Sequence, residues 1–230
     1  MNTNKPVTQS YQTVASQPAV RTEAGNKVLR NTYLLLSMTL LFSAAMAWIA
    51  AANNWPYPGV IITLVGYFGL LFLTTALRNS AWGLLSIFAL TGFMGVTMGP
   101  LVNAYVNAFS NGTELVMMAL GGTGVVFFSM SGIALVSKRD FSWMGKGLMI
   151  GILVAFVAGL GAIFFQMPAL SLAVSSMFIL LMAGLILFQT QQIVNGGETN
   201  YIMATITLFV SLYNLFTSML HLLGFFAGED

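Results

Sequence analysis

Cysteine is absent from this chain of 230 residues, and charge is scarce at 6%. Without cysteine there is no disulfide framework, no thiolate metal site and no cysteine nucleophile. The charged fraction is far below the roughly 25% of soluble domains, while 57% of the residues are hydrophobic, which excludes a water-soluble core and points to a membrane-integral chain. A single histidine and six acidic residues leave no metal-ligand cluster, no nucleophile–base set and no phosphate-cradling loop, so neither enzymatic activity nor a cofactor is expected. The pI near 9.0 would suggest nucleic acid in a soluble protein; here cations facing anionic headgroups explain it, and no nucleic-acid partner is expected. Residues 1–26 lack the apolar run of a cleavable signal, so the first span is expected to serve as the insertion signal.

What is present is a series of seven apolar stretches, each near the 20 or so residues that cross a bilayer core. They run Tyr33–Ala52, Gly59–Leu77, Trp82–Val102, Leu115–Val136, Gly147–Phe165, Ala169–Phe188 and Tyr201–Phe226, and predict an all-α, seven-helix membrane domain over residues 31–230. Residues 1–30, rich in polar residues without periodic apolar positions, read as a disordered tail. All eight Lys and Arg residues fall on one side of the alternating links: Lys5, Arg21, Lys27 and Arg30 before the first span, Arg78 between the second and third, and Lys138, Arg139 and Lys146 between the fourth and fifth. Because cations near span ends set orientation, the N-terminus is predicted cytoplasmic and the C-terminus outside. The link 189–200, QTQQIVNGGETN, is unusually polar and ends at a helix cap; no internal repeat is evident.

Two helices carry stripes of small residues, Gly92, Gly95 and Gly99 in the third and Gly147, Gly151, Ala155, Gly159 and Ala162 in the fifth, which let backbones approach closely. Packing within one bundle is the simpler reading; a homodimer face is the other. The seventh helix differs. Steps of 4, 3, 4, 3, 4 and 3 bring Asn200, Ala204, Thr207, Ser211, Asn214, Ser218 and His221 onto one small, polar face. Such a face is unfavourable toward lipid, so helix 7 is predicted at the centre with the other six around it. Glu114 and Glu198, at span ends, are read as partners of helix N-termini. His221, the one titratable group inside a span, is read as hydrogen-bonded or snorkelling, with proton sensing as the alternative.

The stretch from Leu187 to Phe225, LFQTQQIVNGGETNYIMATITLFVSLYNLFTSMLHLLGF, together with LTGFMGVTMGPL at 90–101, resembles the Bax inhibitor-1 (transmembrane BAX inhibitor motif) family. Within it, the GGETNYI and VSLYNLF runs look most like the bacterial YccA-type modulators of the FtsH protease, and the likeness extends from Lys27 onward. The resemblance implies a seven-helix bundle with helix 7 central, residence in a bacterial inner membrane, and a binding role in which the chain associates with FtsH and restrains it. The family also has calcium-leak members gated by an aspartate pair on helices 6 and 7. The matching positions here are Gln189 and Ser211, which cannot titrate, and Arg78, aligned with a family arginine, has no carboxylate partner there and reads as a positive-inside anchor. A cation leak along the helix 7 face is the alternative function. Oligomeric state is not legible.

Overall fold

The computed structural model describes residues 23–137 and 139–228, all helices and links. In order these are α1 (Glu23–Ala52), α2 (Val60–Leu77), α3 (Trp82–Ala108), α4 (Gly112–Val136), α5 (Met144–Phe164), α6 (Pro168–Val194) and α7 (Tyr201–Ala227). All seven are long and apolar enough to cross a membrane. Most of the tail read as disordered, residues 1–22 with Lys5 and Arg21, lies outside the described residues, as do Lys138, Glu229 and Asp230.

The helices exceed their apolar windows where polar residues continue them. α1 starts ten residues before Tyr33, because Lys27, Leu29 and Arg30 are good helix formers even though the segment is too polar to count as a span. Val28 and Leu29 pack on the core while Lys27 and Arg30 stay exposed. α3 runs through Pro100 to Ala108, a proline tolerated at the loss of one backbone donor. α6 continues six residues beyond Phe188, so Gln189, Thr190 and Gln191 are not link residues: all three are buried in its last turns. Gly196, at φ 77°, then takes the left-handed position that ends the helix.

Gln191 explains why a polar helix end is buried. Its carbonyl oxygen accepts from Phe141 N at 2.7 Å and its amide donates to the Arg139 carbonyl, tying the α4–α5 link to α6. In the same link the hydroxyl and backbone N–H of Ser142 donate to Asp140 and hold its carboxyl below the usual range.

α7 packs against α1, α3, α4 and α6, whereas α2 leans on α3 and α5 on α6. Helix 7 is therefore central, yet four helices rather than six surround it. α3 shares the centre with α7: Ile87, Leu90 and Thr91 are fully buried. Its glycines make this possible. A Cβ on Gly95 would stand 2.3 Å from the Ser43 carbonyl oxygen and one on Gly99 2.5 Å from that of Ala47, so α1 and α3 meet backbone to backbone. On the other small-residue stripe, Ala155 and Ala162 are buried and Gly151 faces Leu181 of α6, while Gly147 at its start is exposed, so the α5 stripe packs internally along only part of its length. The outer surface carries large apolar side chains such as Phe72, Phe128 and Leu180, each more than 70% exposed. The four tryptophans are also exposed and sit near helix ends, Trp48 and Trp55 at one end of the bundle and Trp82 and Trp143 at the other, as membrane interfaces favour.

The close α1–α3 approach predicts that Gly95→Ala or Gly99→Ala lowers thermal stability in detergent by about 1–3 kcal/mol, the usual cost of forcing extra volume into a packed site. Gly147→Ala, whose Cβ would meet nothing within 4 Å, is the control and should leave the melting temperature unchanged or raise it.

Candidate functional site

The polar face of α7 begins at its cap. Asn200 Oδ1 accepts from Ile202 N and Met203 N, both at 3.0 Å, satisfying two of the free donors at the helix start. Its amide donates to the Arg78 carbonyl at 3.1 Å and to Asn79 Oδ1 at 2.9 Å. One side chain therefore starts α7 and fastens it to the α2–α3 link. Glu198 completes the turn, its carboxylate accepting from Asn200 N at 2.8 Å.

Beyond the cap, no residue from Tyr201 to Gly224 is exposed, as a helix packed among its neighbours requires. The stripe then divides. Ala204, Ser211 and Ser218 are buried against neighbouring helices, while Thr207, Asn214 and His221 are half-buried. Most of these groups do not bond across helices. Thr207 donates to Met203 O at 3.1 Å, Ser211 to Thr207 O at 2.7 Å and Asn214 to Val210 O at 2.8 Å, all within α7. The reason is local: a carbonyl four residues back is always within reach, so it competes with any interhelical partner.

Cross-helix bonds come largely from residues off the predicted stripe. Thr205 donates to Tyr201 O at 2.7 Å and lies 3.3 Å from the Thr32 carbonyl of α1, and Tyr33 of α1 contacts Thr190 of α6 at 3.3 Å. Thr97 of α3 already donates to Met94 O at 2.8 Å, which commits its one proton and leaves the Tyr213 hydroxyl as donor in their 3.2 Å contact. His221 is the exception on the stripe, its Nδ1 lying 2.8 Å from Ser175 Oγ of α6. Threonine and tyrosine inside apolar runs were the available signal for the others, but their i−4 carbonyls left the partner undecidable from sequence.

Gln189 and Ser211 are both buried, whereas Arg78 is exposed at the α2 C-terminus and engages α7 only through its carbonyl. Ser211 spends its proton on its own helix. Gln189 Nε2 meets no acceptor, nor does the buried Thr32 hydroxyl or that of Ser131 find a partner. Among the described residues no Asp, Glu, Lys or His side chain bonds to Gln189 or Ser211.

The family model described as inhibitor of apoptosis-promoting Bax1 matches residues 25–228. The chain belongs to the Bax inhibitor-1 family. It is 50% identical over 205 residues, 89% of this chain and 92% of the relative, to the modulator of FtsH protease YccA of Escherichia coli K12. A second Escherichia coli strain carries an equally similar protein named inner membrane protein YccA. An uncharacterised protein of Pseudomonas aeruginosa is 46% identical over 96% of this chain and 99% of its own length. The chain is thus an all-α integral membrane protein of the Bax inhibitor-1 family, and its match leaves out little besides the N-terminal tail.

Two outcomes follow from the cap and the orphan amide. Asn200→Ala should destabilise the fold by about 1 kcal/mol or more through the lost cap, while Asn200→Asp keeps the cap acceptor and loses only the donor to Arg78 and Asn79; thermal melts in detergent should rank wild type above Asp above Ala. Gln189→Leu removes a buried amide that has no acceptor, so the same melts should show unchanged or raised stability.

Proposed function

We propose that this protein is a bacterial inner-membrane modulator that binds the membrane-anchored, ATP-dependent protease FtsH and restrains its degradation of membrane proteins. The observation that carries the reading is the 50% identity, over nearly the whole chain, to a protein named as a modulator of FtsH protease. The described fold supports it in physical terms. Backbone contact between α1 and α3, a cap bonded to the α2–α3 link and a glutamine clamp on the α4–α5 link make a bundle whose links are fastened down. Such a body resists extraction.

The orientation belongs to the same proposal. Lys27, Arg30, Arg78, Arg139 and Lys146 are all exposed at the end holding the α2–α3, α4–α5 and α6–α7 links, so that end faces the cytoplasm and the C-terminus faces the periplasm. The 22 residues ahead of α1 would then be cytosolic and, drawn out, would reach on the order of 70 Å toward the pulling pore of the protease. They act as the handle, and the bundle supplies the resistance.

The competing reading is a cation leak along α7, and the unpartnered polar atoms of Gln189, Thr32 and Ser131 are the observation that favours it. It lacks a carboxylate at either gate position. Calcium efflux from liposomes that is abolished by Ser211→Leu or Asn214→Leu would establish the leak; flux no greater than from empty vesicles would remove it.

Affinity isolation of the tagged protein from gently solubilised native membranes should enrich FtsH over untagged membranes, and deleting residues 2–22 should reduce that enrichment severalfold. Enrichment that survives the deletion intact would exclude the handle; no enrichment of FtsH by the intact, abundant protein would exclude the partner.

A further inference from the structure

α2 and α5 do not pack along their lengths; they approach at the edge-to-face pair of Phe68 and Phe156, with ring centroids 5.9 Å apart. Behind that pair lies a cavity of about 470 Å³, walled by α2, α3, α5, α6 and α7. Two of its lining residues, Met149 and Leu153, are 72% and 63% exposed on the outer face of α5, so the cavity opens sideways toward lipid. It lies at mid-depth, since Asn214 is the central residue of α7 and Phe156 is close to the centre of α5.

The lining is apolar with a small polar floor. No Asp, Glu, Lys, Arg or His contributes to it, so a charged group would find no counter-ion. Yet Asn214, Tyr67, Tyr213 and Thr97 do. Tyr213 and Thr97 satisfy one another, and the Asn214 amide donates to Val210 O. Among the described residues the Asn214 Oδ1 and the Tyr67 hydroxyl have no hydrogen-bonding partner, an arrangement that apolar surroundings penalise unless something enters to meet them.

We propose that this cavity binds an uncharged, single-chain amphiphile from the bilayer, whose hydroxyl or protonated carboxyl donates to Asn214 Oδ1 and accepts from the Tyr67 hydroxyl. Size selects the class. A chain of about 16 groups, each near the roughly 30 Å³ of a water molecule, fills it. The neutral lining excludes a headgroup phosphate from the floor, which favours one free chain over a phospholipid tail.

The test uses the full-length protein in nanodiscs with a hexadecanol that carries a photoreactive diazirine on its chain. The expected result is crosslinking confined to residues 63–68, 149–156 and 210–214, displaced by excess unlabelled hexadecanol and not by phosphatidylcholine. Val210→Phe, which fills the cavity, should cut the labelling at least tenfold; Tyr67→Phe, which removes one oxygen and little else, should cut it severalfold while leaving the melting temperature unchanged. Labelling spread over the lipid-facing surface and indifferent to both variants would overturn the site. Equal displacement by phosphatidylcholine would overturn the single-chain assignment.

Discussion

Inside a bilayer no water waits to accept or donate a hydrogen bond, so a polar atom on a spanning helix is costly unless the protein or something bound within it satisfies it. α7 carries such atoms along its whole length and meets most of them in two ways at once. Its hydroxyls turn back on carbonyls four residues earlier, and α1, α3, α4 and α6 pack around it, leaving only the side that lines the lateral cavity open. The rest of the bundle follows from that enclosure. To cover α7, α1 and α3 must come closer to one another than side chains larger than hydrogen permit, which is why Gly95 and Gly99 face the backbone of α1. With four helices committed to the centre, α2 and α5 are left outside, each held by one neighbour, and the gap between them becomes the lateral cavity.

The links obey the same rule by different means. Asn200 serves both as cap and as crosslink, and Gln191 holds the α4–α5 link from a buried position. A membrane protein with such short, fastened links offers a pulling enzyme little to grip beyond its N-terminal segment. This ties the packing to the proposed restraint of a protease, because a substrate that engages and is slow to unfold occupies the machine.

Seven helices were legible because apolar length is a direct physical requirement of the bilayer, and the central place of α7 was legible because its polar residues recur at helical spacing. Helix ends were not. Apolarity marks where lipid begins, whereas the helix continues as long as backbone bonds and packing favour it, as at Glu23–Asn31 in α1 and Gln189–Val194 in α6. The destination of each hydroxyl was also hidden, since Ser211 and Thr207 face a choice between their own helix and a neighbour that only three-dimensional packing decides. The shared burial of α3 escaped notice for a related reason: its Gly and Thr residues read as a packing stripe, with nothing to show that the stripe lay at the centre. Tyr67 and the cavity floor depend on two helices failing to meet, which no local pattern encodes.

In the proposed restraint, a tightly packed bundle engages FtsH and occupies it. The most direct measurement is the rate at which FtsH, reconstituted in proteoliposomes with ATP, degrades a membrane substrate in the presence and absence of stoichiometric amounts of this protein. Slower loss of the substrate is expected while the seven-helix protein itself persists over the same interval. An unchanged rate, with both proteins shown to be in the same vesicles, would contradict it.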